Sequence, residues 1–379
     1  MFKITSSLDQ ARSGLIRCGN REAPTPFFMP IATRGAVKLI TMKEVENLGF
    51  EVVLGNTYHL WLKPGDDLVK KAGGIRGFSG WEKMVLTDSG GFQIFSLGEK
   101  AEKRFGKSGV KLTEEGVYFT DPTNGNRHFM SPEDSVEIQL KLGSDIIMCL
   151  DECPPYPCDY DKAKKSLELT TRWAKRCKEY FNKRVGDNEN RPLLFGIVQG
   201  SVYQDLREES ARQLTEIDFD GYAIGGVAVG EPREALKDIL KWVIPHLPEK
   251  KPRYLMGLGR PEEIASAVLS GVDMFDCVIP TREGRHGRIF TWQGKDFSTK
   301  ELKSGNFYQT LNLANEKFKE DFSSLDENCN CPVCSKYSKA YLRHLFNVGE
   351  PLAGKMASAH NLSFYHHLIQ MLKNNIQDK

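Results

Sequence analysis

The chain has 379 residues, of which 40% are hydrophobic and 27% charged, a composition typical of a folded globular protein with one large core or two smaller ones. Lysine and arginine total 52 against 50 aspartates and glutamates, so the formal charge is +2. This balance excludes a long-range basic field that gathers nucleic acid unselectively, and any nucleic-acid site must be a local patch.

The N-terminal residues contain no apolar run followed by a small-residue cleavage site. No later stretch approaches the ~20 apolar residues that span a bilayer. We therefore expect a cytoplasmic protein that has no membrane partner. Nine cysteines in such a chain favour free thiols or metal ligands over a disulfide framework.

Short apolar runs bounded by glycine, proline or polar residues alternate with helical segments, which is the pattern of a buried parallel sheet. We expect eight strands, at residues 27–31, 52–54, 84–86, 145–150, 193–198, 221–224, 254–256 and 274–278. Helix starts are marked at Ser131, Glu231 and Arg260, each followed by a proline that suits the first turn. The alternation over about 250 residues predicts an α/β protein with a (β/α)8 TIM barrel rather than an open doubly wound sheet.

Two segments depart from this alternation. Residues 98–127 lie between the third and fourth strands and are expected to form an inserted loop or hairpin over the barrel mouth. After Pro280, a basic stretch, a cysteine cluster and a helical segment from Ser338 onward indicate a small metal-held appendage. We therefore expect a catalytic barrel over residues 1–290 and a zinc-binding subdomain with C-terminal helices packed on the barrel over residues 291–379.

Polar residues follow the predicted strands at their carboxyl ends, where the loops of such a barrel converge on one mouth. Asp88, Asp151, Gln199 and Asp276 end the third, fourth, fifth and eighth strands, and Gly225-Gly226 ends the sixth. Three carboxylates and an amide at one mouth indicate acid, base or nucleophile chemistry on a neutral or cationic centre. The alternative is that each aspartate caps the helix that follows its strand.

A cysteine cluster near the C-terminus has the spacing of a metal site. Cys329, Cys331 and Cys334 bring three soft ligands within six residues, and His360 could complete a tetrahedral Cys3His site. A Zn²⁺ held by four protein ligands has no open position, so we expect it to be structural. His344 is the alternative fourth ligand, and an iron–sulfur cluster is the alternative metal centre.

Taken together, these residues resemble the bacterial tRNA-guanine transglycosylases, the queuine tRNA-ribosyltransferase family. The resemblance runs in family order from about Asn56 to His360. It rests on TDSGGFQ at 87–93, DEC at 151–153, VQG at 198–200, GGVAVGE at 225–231, MFDCV at 274–278 and the cysteine cluster with its distant histidine.

The resemblance implies an enzyme that exchanges the wobble guanine of tRNAs with G-U-N anticodons for 7-aminomethyl-7-deazaguanine, in queuosine biosynthesis. It implies a double displacement through a covalent intermediate. In that mechanism Asp276 is the nucleophile and Asp88 the general acid/base.

The resemblance also assigns the residues that bind the base. Asp151 is expected to accept the ring N–H and exocyclic amine of guanine, while Gln199 and the N–H of Gly226 bind its carbonyl oxygen. The remaining contacts are expected from Phe92 and Met256 on the two faces of the base, from Val227 beside Gly226, and from Ser89 and Asn56 near the ribose.

Arg282 and Arg285 match family positions that bind tRNA, so we expect them to clamp phosphates and bases of the anticodon loop. Glu283-Gly284 between them departs from the residues expected there. The family also forms dimers, and we expect a homodimer here. The positions that resemble its aromatic interface cluster are Phe78, Tyr337, Tyr341 and His344.

The loop near residues 104–112 looks longer than in typical bacterial members and leaves the incoming base open. Val229 and Cys153 favour the aminomethyl precursor by pocket volume, because eukaryotic subunits that take free queuine have glycine where Val229 stands. Salvage of free queuine is the alternative.

Three other classes of protein fit the residues less well. A glycoside or nucleoside hydrolase also uses paired carboxylates on a barrel, but the cysteine cluster and the basic residues 282–288 argue against it. A catalytically silent tRNA-binding partner would lack Asp276 and Asp88. An archaeal-type transglycosylase would need an extra RNA-binding domain after the cysteine region.

Overall fold

The computed structural model describes residues 1–97, 109–186 and 188–377. Its strands are, in chain order, β1 (Phe2–Leu8), β2 (Ala11–Cys18), β3 (Arg21–Thr25), β4 (Phe27–Met29), β5 (Ile31–Ala32), β6 (Val52–Gly55), β7 (Met84–Thr87), β8 (Lys111–Leu112), β9 (Val117–Thr120), β10 (Arg127–Met130), β11 (Ile146–Met148), β12 (Leu193–Val198), β13 (Gly221–Ile224), β14 (Arg253–Leu255), β15 (Met274–Asp276), β16 (Arg288–Trp292) and β17 (Tyr308–Asn312).

The α-helices with defined bounds are Met42–Asn47, Thr57–Leu62, Asp66–Lys71, Gly74–Ser79, Pro132–Lys141, Tyr160–Val185, Gln204–Ile217, Ala235–Val243, Pro261–Leu269, Ile279–Arg285, Thr299–Ser304, Lys339–Asn347 and Pro351–Gln377. Residues 91–97 are also helical. Short 3-10 turns cover Ile244–His246 and Glu316–Phe318. None of the helices in the described ranges is long and apolar enough to cross a membrane.

A ring of parallel strands forms the centre of the molecule, in the order β4-β15-β14-β13-β12-β11-β7-β6-β5. Each pair of hydrogen-bonded neighbours is parallel, and the β4–β15 pair closes one side. The strands are buried runs of aliphatic and aromatic residues, as expected where helices cover the outside of a barrel. The predicted (β/α)8 barrel is therefore confirmed.

The first predicted strand, 27–31, is two segments rather than one. β4 pairs with β15 and β5 pairs with β6, with Pro30 between them. Proline has no N–H to donate to a strand ladder, so a break there is physically expected. The split lets one stretch of chain serve two neighbours, and the ring keeps eight strand positions.

The predicted helix starts are right at two of three places. Ser131 caps the helix Pro132–Lys141 in a capping box with Asp134, and the helix Pro261–Leu269 follows Arg260 directly. The start predicted at Glu231 is wrong, because the helix there begins at Ala235. The N–H groups of Ala235 and Leu236 bond carbonyls only three residues back, so residues 232–234 form a tight turn that leads into the helix.

Sequence reasoning missed the antiparallel sheet β1–β3 that precedes the barrel. Arg12 in β2 forms a buried ion pair with Asp273, with 2.9 Å between Nε and Oδ1, and also donates to the carbonyl of Lys251. Both partners lie just before barrel strands, β15 and β14. The sheet therefore covers the end of the barrel opposite the carboxyl ends of the strands.

The expected insertion at residues 98–127 falls partly outside the described residues, which omit 98–108. The longer loop noted near residues 104–112 lies largely in that part. Beyond it, β8, β9 and β10 form an antiparallel sheet, so a hairpin is present in this segment. Phe119 packs its ring 5.7 Å from that of Trp61, which fixes this sheet against the helix Thr57–Leu62.

The C-terminal region contains the hairpin β16–β17 and the long helix Pro351–Gln377, which packs on the barrel. The hydroxyl of Tyr365, in the helix Pro351–Gln377, donates to the carbonyl of Gly259 at 2.7 Å. The same helix crosses the helix Ile279–Arg285 so closely that a Cβ on Gly284 would lie 2.6 Å from the backbone nitrogen of Ser358. The domain boundary at residue 290 stays a prediction, and β16 runs across that residue.

Candidate active site and metal centre

A cavity of about 510 Å³ opens at the carboxyl ends of the barrel strands. Its walls come from the loops that follow the strands, which is where such barrels carry their chemistry. The lining includes all ten residues expected for catalysis and base binding: Asn56, Asp88, Ser89, Phe92, Asp151, Gln199, Gly226, Val227, Met256 and Asp276.

Asp276 is the last residue of β15 and is buried. Its Oδ1 accepts two hydrogen bonds, from the hydroxyl of Tyr254 at 2.5 Å and from the N–H of Gly257 at 2.8 Å. Burial raises the pKa of this carboxyl, while these two donors act to lower it. Because both described bonds go to Oδ1, the lone pairs of Oδ2 remain available to a substrate.

Asp88 directly follows β7 and is partly exposed to the cavity. It accepts hydrogen bonds from Nδ2 of Asn56 at 2.5 Å and from the N–H of Thr57 at 2.9 Å. Burial, together with the negative charges of Asp276 and Asp151, raises its pKa to about 7. A carboxyl with this pKa can both give and take a proton at neutral pH, which suits general acid/base work.

Asp151 is buried after β11, and each of its oxygens has a partner. Nε2 of Gln199 donates to Oδ2 at 2.7 Å, and Oγ of Ser89 donates to Oδ1 at 3.1 Å. Burial raises the pKa of Asp151 to about 6. The two contacts fix the plane of the carboxylate, so it can meet two parallel donors on the edge of a flat ligand.

The loop after β13 passes very close to Gln199. A Cβ on Gly225 would lie 2.9 Å from Nε2 of Gln199, and one on Gly226 would lie 2.7 Å from its Oε1. Gly226 also has a φ of +61°, which disfavours residues with a side chain. Oε1 of Gln199 is buried and has no hydrogen-bond partner among the described residues. The acceptor Oε1 of Gln199 therefore remains available to a ligand beside the backbone of Gly226.

Two expected contacts with the base come from apolar side chains. Phe92 is 45% exposed and Met256 is partly buried, and both line the cavity. Val229 and Cys153, which sequence reasoning used to judge the pocket volume, line it as well.

The capping alternative is wrong for two of the three aspartates. The helix that follows β11 has Asp159 as its N-cap, and the helix that follows β15 begins after Val278. Asp151 and Asp276 therefore do not occupy cap positions, and both line the cavity instead.

The structure adds two residues that the sequence analysis did not single out. Tyr254 is fully buried and holds Asp276, and it lies two residues before Met256 along the chain. Side chains alternate along a strand, so a residue two positions before Met256 is expected to point to the same side, and this spacing could have identified Tyr254. Arg207 is fully buried behind Gly225-Gly226. Sequence gave no signal for it, because an arginine on a helix normally lies at the surface.

The structure does not bring Arg282 and Arg285 into the base cavity. Both lie on the helix Ile279–Arg285, immediately beyond the strand that ends in Asp276. Arg282 lines a separate groove of about 510 Å³ together with Arg233, Arg260 and Arg288. Nε of Arg282 lies 3.5 Å from Oε1 of Glu283. Two glutamates, Glu262 and Glu283, also line the groove, which leaves an excess of arginines that can meet phosphate groups.

The residues predicted to bind a metal are brought together and buried. One ligand atom from each of Cys329, Cys331, Cys334 and His360 lies within 4.8 Å of the others. Nδ1 of His360 is 3.9, 3.6 and 3.2 Å from the three sulfur atoms, in sequence order. Bonds of about 2.3 Å to sulfur and 2.0 Å to nitrogen in a tetrahedron give separations of this size, so the group fits a metal ion.

His360 is also oriented for this role. Its Nε2 is 2.7 Å from the carbonyl oxygen of Phe290, and an N–H donated there leaves the Nδ1 lone pair facing the sulfurs. The alternative ligand, His344, is exposed on the helix Lys339–Asn347 and is not part of the group.

The parallel barrel with three carboxylates in the cavity at its mouth is an arrangement that enzymes acting on glycosidic bonds use. The chain belongs to the queuine tRNA-ribosyltransferase family, whose sequence profile matches residues 7–379. The predicted enzyme class, a pentosyltransferase of the tRNA-guanine transglycosylase family, is therefore confirmed.

Individual relatives agree over nearly the full chain. Proteins named queuine tRNA-ribosyltransferase from Francisella tularensis subsp. novicida (strain U112), subsp. holarctica (strain LVS) and subsp. tularensis (strain SCHU S4) are each 47% identical to it over 372 residues. The match covers 98% of this chain and 93% of each relative.

Proposed function

We propose that the protein exchanges guanine at the wobble position of tRNAs with G-U-N anticodons for 7-aminomethyl-7-deazaguanine. The observation that carries the proposal is the gathering of Asp276, Asp88, Asp151 and Gln199 around one cavity. The three carboxylates have different hydrogen-bond partners, and burial raises the pKa of each. Membership of the family supports tRNA and a purine-like base as the substrates.

In the first step, Oδ2 of Asp276 attacks the anomeric carbon of the ribose and the bond to N9 of guanine breaks. Asp88, protonated in part at neutral pH because its pKa is about 7, gives its proton to the departing base. The ribose is then held by an ester bond to Asp276, as in retaining glycoside transfer.

In the second step, the incoming base attacks the same carbon and displaces Asp276 as a carboxylate. Asp88, now ionised, takes the N9 proton of the incoming base. Two successive inversions restore the original configuration at the ribose. Asn56 supports both steps, because its amide holds the acid/base carboxyl at 2.5 Å.

The same cavity explains how guanine is recognised. Asp151 accepts the ring N–H and the exocyclic amine, while the amide of Gln199 and the N–H of Gly226 donate to the carbonyl oxygen. In the free protein, Gln199 donates to Asp151. An entering base breaks this hydrogen bond and replaces it with its own hydrogen bonds to Asp151, Gln199 and Gly226. Phe92 and Met256 pack on the faces of the base, Val227 forms part of the wall, and Ser89 keeps Asp151 in place.

The volume of the cavity determines which incoming base fits. Val229 and Cys153 line the cavity, and the space that their side chains take favours the small aminomethyl precursor over free queuine. Arg282 and Arg285 beside the mouth bind the anticodon loop. The Cys3His group holds a structural Zn²⁺ that stabilises the C-terminal region and takes no part in the reaction.

An exchange assay tests the function. The enzyme is given labelled guanine and a G-U-N tRNA transcript, and the loaded tRNA is chased separately with the aminomethyl precursor and with free queuine. We expect loading, followed by release with the precursor. Release with queuine instead would replace the biosynthetic proposal with salvage, and formation of abasic tRNA would indicate a hydrolase.

The nucleophile has its own control in the same assay. Asp276→Asn is expected to form no covalent RNA adduct on a denaturing gel and to lose exchange by about a thousandfold or more. Asp151→Asn keeps the nucleophile and loses base recognition, so it separates the two roles. A covalent adduct formed by Asp276→Asn would contradict the assignment.

A further inference from the structure

Arg207, in the helix Gln204–Ile217, is fully buried directly behind the base-binding wall. Its guanidinium donates to four backbone carbonyls, those of Ser201 at 2.7 Å, Val198 at 3.2 Å, Gly225 at 2.6 Å and Gly226 at 2.9 Å. All of its described hydrogen bonds therefore go to peptide oxygens rather than to a carboxylate. Burying a cation in this way is costly, which makes a purely packing role a poor explanation.

The contacts fix the direction of two consecutive peptide groups. The cis peptides of the described chain all precede proline, so the peptides that follow Gly225 and Gly226 are trans. In a trans peptide the C=O and N–H point in opposite directions. With both carbonyls held on the Arg207 side, the N–H groups of Gly226 and Val227 face the other side, and both residues line the cavity.

The backbone conformation agrees with this arrangement. Successive peptides point the same way when a right-handed residue is followed by a left-handed one, which forms a small nest of N–H donors. Gly226 has a left-handed φ of +61°, which is the second of the two conformations in such a nest. Nests of this kind bind anions and electron-rich oxygens.

The charge of Arg207 adds to the effect of its geometry. Burial lowers its pKa to about 10, so the guanidinium remains positive at neutral pH. Its Nη2 lies 3.3 Å from the point where a Cβ on Gly226 would stand. A cation behind the two peptides polarises their N–H groups towards the cavity, where little water competes. Of its neighbours, Glu231 carries the negative charge that favours the protonated guanidinium, while burial keeps the Cys153 thiol neutral by raising its pKa to about 12.

We propose that Arg207 is a positioning residue for the reaction, which holds the N–H groups of Gly226 and Val227 as a preformed pocket for the carbonyl oxygen of the purine. This inference rests on the proposed function, since it takes guanine as the ligand of the cavity. It adds a requirement: recognition of the carbonyl oxygen depends on a side chain that never touches the base.

A comparison of two ligands, guanine and 6-thioguanine, separates a role of Arg207 in binding the carbonyl oxygen from a role in stability alone. Guanine and 6-thioguanine share the ring N–H and exocyclic amine that Asp151 accepts, but the second has sulfur, a weaker acceptor, in place of the carbonyl oxygen. We expect the wild-type enzyme to bind guanine roughly tenfold more tightly than 6-thioguanine. In Arg207→Lys, which keeps the charge and loses the fork of donors, this ratio should fall towards one.

The kinetic constants provide a second readout. Arg207→Lys is expected to raise KM for free guanine roughly tenfold and KM for tRNA much less, because the anticodon loop makes further contacts outside the pocket. Arg207→Gln, which has two amide donors and no charge, is the second variant and should also lower kcat, since the departing base loses electrostatic stabilisation. Either variant suffices if the other does not fold.

Arg253→Lys is the matched control. Arg253 is also a buried arginine that donates to backbone carbonyls, those of Gly271 and Leu247, both at 3.3 Å. Its substitution should lower Tm and leave the guanine to 6-thioguanine ratio at the wild-type value. A wild-type ratio in the Arg207 variants would overturn the inference. Absence of guanine exchange by the wild-type enzyme would instead overturn the proposed function.

Discussion

The hydroxyl of Tyr254 donates to Oδ1 of Asp276 at 2.5 Å, the same oxygen that accepts the N–H of Gly257. Tyr254 and Asp276 stand on adjacent strands, β14 and β15, whose parallel pairing sets the contact. Two donors on one oxygen orient the carboxylate and leave Oδ2 for bond formation. The barrel thus determines which oxygen of the proposed nucleophile is held by protein donors.

Tyr254→Phe removes one of these donors and should shift the pH dependence of exchange. The Tyr254 hydrogen bond lowers the pKa of Asp276 against the effect of burial, so its loss raises that pKa. The proposed nucleophile must be ionised, and a higher pKa leaves less of it ionised in acid. We expect kcat/KM to fall about tenfold at pH 8 and further at pH 6, measured as exchange rate against pH.

Tyr222→Phe is the control for that measurement. Tyr222 is a fully buried tyrosine of β13, whose neighbours Asp218 and Asp220 precede that strand. Its hydroxyl therefore lies towards the far end of the barrel. The variant should keep the wild-type acid limb, whereas an unshifted acid limb in Tyr254→Phe would remove the positioning role argued for Tyr254.

Asp88→Asn should change how stability depends on pH. The pKa of Asp88 in the folded protein is about 7, above the ~3.9 of an unfolded aspartate. Between these values the unfolded chain has lost the proton that the folded protein retains, so stability falls as pH rises through the window. Asparagine carries no such proton. Relative to wild type, the Tm of the variant should therefore improve by roughly 3 °C or more between pH 4.5 and pH 8.

Asp67→Asn gives the opposite sign and serves as the comparison. Its hydrogen bond from Lys141 lowers the pKa of Asp67, so its ionised form contributes to stability above the usual pKa and the contribution is lost in acid. The Asp67 variant should therefore lose about the same Tm relative to wild type at pH 8 and at pH 4.5, and this loss should shrink only below about pH 4, where aspartate is protonated. If Asp88→Asn behaved like Asp67→Asn, the raised pKa of Asp88 would be refuted.

Cys331→Ser should lose the metal and loosen the C-terminal region. The three thiols and His360 lie at distances that suit a tetrahedral ion, and His360 also ties its helix to β16 through the carbonyl of Phe290. A structural metal contributes folding free energy directly. We expect about one equivalent of Zn²⁺ in the wild type, less than half in the variant, and faster hydrogen exchange in the helix Pro351–Gln377.

Cys18→Ala provides the control, because Cys18 is a buried cysteine of β2 outside the cluster. It should keep the wild-type metal content. If chelator-treated wild-type protein lost its metal with no change in Tm or hydrogen exchange, a structural role for the metal would be excluded.

The barrel was predictable because its strands are short, fully buried and separated by clear helix starts. β12 and β13 have the predicted bounds, and the other ring strands differ by a few residues at their ends. The N-terminal sheet β1–β3 was missed because β1 is only half buried and amphipathic, which is a weak local signal for a strand. The apolar face of the sheet is buried only because it packs on the end of the barrel. The helix start predicted at Glu231 was wrong because a proline that follows an acidic residue also suits a tight turn.

The site was predictable to the extent that its residues end strands. Asp88, Asp151 and Asp276 could be found because carboxyl ends of parallel strands converge, whatever their separation in the sequence. Arg207 could not, since its role depends on carbonyls at the end of β12 and in the loop after β13. Such a residue becomes visible when backbone hydrogen bonds are traced.

The predicted homodimer has a specific surface to test. Tyr337 and Tyr341 stack their rings at 5.5 Å, with each side chain about two-fifths exposed, and Phe322, which is 79% exposed, lines the same cleft. Exposed aromatic clusters of this kind are typical of interfaces between chains. We expect Tyr337→Ala with Tyr341→Ala to convert a micromolar dimer into a monomer by light scattering.

The control is Tyr160→Ala, an equally exposed tyrosine on the helix Tyr160–Val185. It should leave the dimer intact, because it removes an exposed ring of the same kind far along the chain from the cleft. A monomeric wild type at micromolar concentration would refute the dimer itself. A double variant that stayed dimeric would move the interface away from this cleft, towards exposed apolar side chains such as Phe78.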